Sequence, residues 1–73
     1  MGVMATLGRS GHVVTKWDVE QPETVDEARV KFNELRGQGF TAFRTIAEAK
    51  PEQIREFDPT EENILMLPRF VGG

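Results

Sequence analysis

The residues that could carry chemistry in this chain are few. His12 is the only histidine and Ser10 the only serine. A serine nucleophile needs a base, and that base needs a third group to orient it. The glycine-flanked segment around Ser10 is a poor support for such geometry. We therefore expect no catalytic residue in this chain, and we interpret His12 as a surface or packing residue.

Metal and phosphate sites are also poorly supported. Two acidic clusters lack the spacing and loop glycine of a calcium loop, and the chain has no cysteine for a thiolate zinc site. We expect these clusters to form a solvated rim, with no metal and no cofactor. The sequence Gly-Arg-Ser-Gly at 8–11 lacks the lysine of a phosphate loop and opens no helix, so it indicates a turn. The acidic clusters are Asp18, Glu20 and Glu23, and Glu56, Asp58, Glu61 and Glu62.

Length and charge limit the possible partners. Seventy-three residues are enough for one domain, and twelve acidic against nine basic residues give a net charge of −3. This balance argues against nucleic acid and against an anionic membrane surface. No apolar run approaches the roughly 20 residues of a membrane-spanning helix, and the first ten residues lack the order of a signal peptide. A cytoplasmic location is the resulting expectation.

Local patterns predict the order strand, strand, helix, strand, strand, strand. Alternating and β-branched residues indicate the strands, and residues 63–67 form an apolar run typical of a strand covered on both faces. One helix on a single mixed sheet is the α+β architecture that this order permits. The predicted strands are residues 3–7, 12–17, 40–46, 53–57 and 63–67.

The helix has the clearest local signal. Thr24 and Glu27 have the spacing of a capping box, and Gly37 is suited to cap the end of the helix, with Gly39 ending the turn. These signals predict a helix near residues 25–36. Its apolar stripe consists of Val25, Ala28, Phe32 and Leu35.

Aromatic residues supply much of the predicted core. A domain this small has few other large side chains to fill its interior. Phe70 is the exception, since it follows Pro68 beyond the last strand, and we interpret it as a contact for a partner. The predicted core aromatics are Trp17, Phe32, Phe40, Phe43 and Phe57.

The last two residues, Gly72 and Gly73, suggest chemistry performed by another protein. Glycine has no β-carbon and can adopt almost any φ angle, so a diglycine tail can pass through a narrow enzyme channel. Adenylation at such a channel would make the Gly73 carboxyl reactive, and its transfer to a thiol or a lysine amine is acyl transfer. We expect residues 1–67 to form the domain and residues 68–73 to form a flexible tail.

The element order and the tail together resemble the β-grasp proteins of the ubiquitin-like group, which includes protein modifiers and sulfur carriers. Glu-Asn-Ile-Leu-Met-Leu at 62–67, followed by Arg69 and the two glycines, is similar to the last strand and tail of ubiquitin. The resemblance implies that Gly73 is adenylated and that Gly72 passes through the channel of the activating enzyme. It also implies that Arg69 contacts the activating enzyme, and we expect the tail residues Phe70 and Val71 to contact partners as well.

Three functions remain open at this point. In the first, Gly73 is attached to target proteins through an isopeptide bond. An activating enzyme is the main partner, and a conjugating enzyme or a protease is a further one. The second is a sulfur carrier that ends in a thiocarboxylate. The third is a small structural or assembly subunit whose tail takes part in no reaction. The sequence favours the modifier, and it does not place a counterpart of the exposed Leu-Ile-Val patch of ubiquitin.

Overall fold

The computed structural model describes residues 1–8, 11–46 and 48–68. The predicted order of elements is confirmed within these ranges. The elements are β1 (Gly2–Gly8), β2 (Gly11–Trp17), α1 (Pro22–Gly37), β3 (Thr41–Arg44), β4 (Glu52–Ile54) and β5 (Asn63–Leu67).

The five strands form one mixed sheet in the order β2-β1-β5-β3-β4. β1 and β5 are parallel neighbours at its centre, and the other neighbouring strands are antiparallel. α1 packs on one face of this sheet. One helix on a mixed five-stranded sheet is an α+β fold consistent with a β-grasp-like arrangement, as predicted.

The core lies between α1 and the sheet. The apolar stripe of the helix is confirmed, since Ala28, Phe32 and Leu35 are buried and Val25 packs against them. The strands contribute the alternate residues that face the helix. These buried strand residues are Met4, Trp17, Ala42, Ile64 and Met66.

The predicted start of the helix is wrong by three residues. α1 begins at Pro22, with Gln21 as its N-cap and no side-chain capping bond. The hydroxyl of Thr24 instead accepts a hydrogen bond from the Asp18 amide at 2.8 Å and donates to the Gln21 carbonyl at 2.7 Å. Thr24 therefore ties the first turn of the helix to the segment that follows β2.

The helix ends at Gly37, one residue later than predicted. Gln38 is the C-cap, and Gly39 has a positive φ of 96°. The amides of Gly39 and Phe40 donate to the carbonyls of Arg36 and Leu35, both at 3.0 Å. This is the Schellman pattern, in which a left-handed residue reverses the chain. The required glycine is Gly39.

Two predicted strands are too long. β3 ends at Arg44, and β4 ends at Ile54, so Phe57 lies in the loop that follows β4. Its ring packs edge-on against Trp17, with 4.9 Å between centroids, and it lies 5.8 Å from the ring of Phe32. These contacts hold the loop against the core.

Phe43 is not part of the buried core, contrary to the prediction. It is half-buried, and strand alternation places it on the sheet face opposite Ala42. Phe40 and Phe57 are only partly buried, yet both pack against the core as expected.

Candidate functional site

The position of β5 decides where the predicted tail leaves the domain. β5 lies between β1 and β3, and its Ile64 and Met66 are almost completely buried beneath α1. Leu67, the last residue of the strand, is paired with Thr41 of β3. Pro68 has no amide hydrogen for a further ladder bond, and the strand ends before it. The chain after residue 68 therefore starts from the middle of the sheet.

The predicted tail residues lie outside the described part of the chain. They are Arg69, Phe70, Val71, Gly72 and Gly73. The described site is therefore the end of β5 and the surface beside it.

That surface is the face of the sheet opposite α1, here called the open face. Its central row runs across four strands, because Ala5 is paired with both Val14 and Leu65, and Leu65 is paired with Phe43. Val14 and Leu7 are 47% and 40% exposed, and the other apolar residues of this face are half-buried. No helix or strand in the described ranges covers it. The apolar side chains of the open face are Val3, Ala5, Leu7, Val14, Phe43, Leu65 and Leu67.

The charge of the open face differs from that of the whole chain. Strand alternation places His12 and Lys16 of β2 on this face. No acidic residue of the described strands points to it, because Glu52 lies opposite Arg44 on the other side of the sheet. A protein with a net charge of −3 thus presents an apolar surface, with Lys16 on the edge strand β2 and level with the start of β5.

Two acidic residues, Glu52 and Glu61, pair with Arg44. Arg44 donates from Nε to Glu52 at 2.9 Å and from a terminal nitrogen to Glu61 at 3.1 Å. Its hydrogen bonds, first with Glu52 and then with Glu61, raise the pKa of Arg44 above its ordinary value. This cluster ties β3 to β4 and to the loop before β5, and we assign it a structural role.

Asp58 stabilises a turn. Its Oδ1 accepts hydrogen bonds from the hydroxyl of Thr60 at 2.6 Å and from the Thr60 amide at 2.9 Å. The side-chain bond, followed by the backbone bond, lowers the pKa of Asp58 below its ordinary value of 3.8. The Glu61 amide closes the turn by donating to the Asp58 carbonyl at 3.1 Å.

Among the described residues, the others considered for chemistry do not form a site. His12 lies exposed on β2, and Ser10 is outside the described residues. Within residues 1–8, 11–46 and 48–68, no three His, Asp or Glu side chains are grouped as metal ligands. No helix in these ranges is long and apolar enough to span a membrane.

Known proteins offer no guide to this arrangement. No protein-family model, curated protein or solved structure matches the chain. Its function must therefore be argued from the sheet, the open face and the residues that follow β5.

Sequence reasoning did not identify the open face. β1 and β5 are apolar on both sides, and the apolar run at 63–67 suggested a strand covered on both faces. Instead Ile64 and Met66 are buried, while Leu65 and Leu67 are only half-buried. The polar residues of β2, His12 and Lys16, were the available signal, because they mark one side of that strand as facing solvent.

Proposed function

We propose that this protein is a ubiquitin-like modifier that is activated at the carboxyl group of Gly73 and attached to lysines of target proteins. One observation supports this proposal most strongly. The central strand β5 ends at Leu67 beside the apolar open face, and the sequence continues through Pro68 to Gly72 and Gly73.

The number of residues between β5 and Gly73 suits a modifier. Five residues in extended conformation span at most about 17 Å. That is enough to present a carboxylate to an enzyme that also rests on the domain. The two final glycines add no side-chain width, so the end of the tail could enter a narrow channel.

The proposed chemistry is acyl transfer, with the catalytic groups supplied by partner enzymes. The Gly73 carboxylate attacks the α-phosphate of ATP and forms an acyl adenylate as pyrophosphate leaves. A cysteine thiolate of the partner then attacks the acyl carbon, forms a thioester and releases AMP. A lysine amine of the target replaces the thiolate, loses a proton and completes an amide bond.

The open face would serve as the docking surface for the activating enzyme. Leu65 and Leu67 lie beside the exit of the tail, and Lys16 provides a positive charge at the margin of the same face. Apolar burial would supply most of the binding free energy. The single lysine favours a partner surface with carboxylates at its edge.

The proposal predicts a specific remnant on target proteins. Arg69 is the last basic residue, so trypsin would leave Phe70-Val71-Gly72-Gly73 attached to modified lysines. We would search tryptic peptides from the native host for lysines that carry this tetrapeptide. Their detection is the expected result.

The same experiment contains a matched pair of variants. Gly73→Ala should reduce the number of modified lysines, whereas Gly37→Ala should not, since no atom lies within 4 Å of a β-carbon at residue 37. Absence of the remnant from the wild-type sample, or full modification with Gly73→Ala, would contradict the proposal.

A further inference from the structure

The two edges of the sheet differ in how they are protected. β4, at one edge, has only three residues, is preceded by Pro51, and carries the ion pair between Glu52 and Arg44. Short length, proline and charge are the usual devices that prevent an edge strand from pairing with another chain.

β2, at the other edge, has few of these devices. It has seven residues and is bonded, among the described strands, to β1 alone. It contains no proline and no acidic residue, and Lys16 is its only formally charged side chain. The backbone groups on its outer side therefore remain available to another strand.

The side chains of β2 are apolar on both faces at its centre. Val13 lies on the helix side and is 56% exposed, and Val14 lies on the open face and is 47% exposed. A strand added at this edge would cover both valines. Cross-strand pairs of β-branched residues stabilise such an addition.

We infer that β2 is a self-association edge, at which two copies of this chain pair antiparallel and join their sheets into one sheet of ten strands. The strand suits a twofold axis, because Val14 is the middle residue of Gly11–Trp17. In a pairing centred there, Val14 meets its own counterpart and Val13 lies beside Thr15 of the second copy.

The charges of β2 permit this pairing. Lys16 would lie beside His12 of the second copy, and the two lysines would be displaced to opposite sides of the axis. Four residues along a strand separate them by about 13 Å, which exceeds the screening length of about 8 Å at physiological ionic strength. Identical charges therefore do not face each other across the axis.

Sedimentation equilibrium of the full chain from micromolar to millimolar concentration tests the inference. We expect a concentration-dependent monomer–dimer equilibrium, and Val14→Lys should weaken it at least about tenfold by placing two like charges opposite each other. Val30→Lys is the matched control, since Val30 is 56% exposed but lies on α1. Circular dichroism would verify that both variants retain the fold.

A cross-link provides a second measurement. The chain has no natural cysteine, and facing residues of an antiparallel strand pair have the Cα separation that a disulfide needs. Under mild oxidation Val14→Cys should give a covalent dimer much faster than Val30→Cys. A chain that stays monomeric at millimolar concentration, or a dimer that Val14→Lys does not weaken, would overturn the inference. Deleting Gly72 and Gly73 should leave the dimer unchanged, which separates this result from the proposed tail chemistry.

Discussion

Gly2 lies directly against the indole ring of Trp17, its cross-strand partner in β1 and β2. A β-carbon at residue 2 would fall 2.2 Å from both Cε2 and Cζ2 of that ring. The ring is almost completely buried, at 1% exposure, and its Nε1 donates to the Pro59 carbonyl at 3.0 Å. The close approach of the Gly2 backbone thus helps to fix the orientation of Trp17.

Gly2→Ala should therefore destabilise the domain. The added methyl group must displace either the buried ring or the β1 backbone, and overpacking of this kind costs about 1–3 kcal/mol. Thermal unfolding followed by circular dichroism would measure the change. Gly8→Ala is the control within the same strand, because the nearest atom to its β-carbon is 3.7 Å away. Equal unfolding temperatures for the two variants would contradict this account of Trp17.

Phe57 should contribute more to stability than its place in a loop suggests. Phe57→Ala removes the edge-on contact with Trp17 and the contact with Phe32, and we expect a loss of about 2 kcal/mol or more. Urea unfolding monitored by the fluorescence of Trp17, the only tryptophan, would measure it. Phe43→Ala, at another half-buried phenylalanine, should cost less because Phe43 lies on the open face. A larger loss for Phe43→Ala would argue against the loop contact.

Asp58 should make the folding stability of the domain depend on pH. Its folded-state pKa is lowered by the hydrogen bonds from Thr60. The resulting stabilisation is therefore fully present above the ordinary pKa of 3.8 and is lost as the pH falls through the lower folded value.

Thr60→Ala tests this dependence, because it removes the hydroxyl donor and should bring the pKa of Asp58 closer to its ordinary value. An NMR titration of the Asp58 carboxyl group would detect the rise. The loss of stability between pH 5 and pH 2 should be smaller in this variant. An unchanged Asp58 titration would show that the hydroxyl bond does not cause the shift.

Substitutions at two neighbouring residues of β5 should distinguish an effect on folding from an effect on docking. Ile64→Ala should destabilise the domain by about 2–5 kcal/mol, because Ile64 is buried beneath α1. Leu65→Ala should cost less, because Leu65 lies half-buried on the open face. If the open face binds the activating enzyme, Leu65→Ala should also lower the yield of conjugates at equal amounts of folded protein. An unchanged yield would remove the open face from the proposed mechanism.

The sequence predicted those elements whose signals are local. The spacing of Ala28, Phe32 and Leu35 identified the buried stripe of α1, and the apolar run before Pro68 identified β5 with its correct ends. The start of α1 was missed because Thr24 bonds to Asp18, a contact that a capping pattern does not reveal.

The open face and the place of Phe57 depend on tertiary structure. Leu65 and Met66 are both apolar, so only the position of the helix decides which of them is buried. Residues 53–57 precede a turn sequence, as the end of a strand often does, whereas the contact of Phe57 with Trp17 joins segments far apart in the sequence. The predicted site at Gly72 and Gly73 lies outside the described residues and stays a prediction.

The central claim, that Gly73 is joined to other proteins, is tested most directly by intact-mass spectrometry of the protein made in its native host. The wild-type chain would be compared with a variant lacking Gly72 and Gly73. We predict higher-mass conjugates in the first sample and none in the second. A mass increase that matches replacement of one oxygen by sulfur, without conjugates, would indicate a thiocarboxylate carrier instead. An unmodified chain in both samples would contradict the modifier account and favour an assembly subunit.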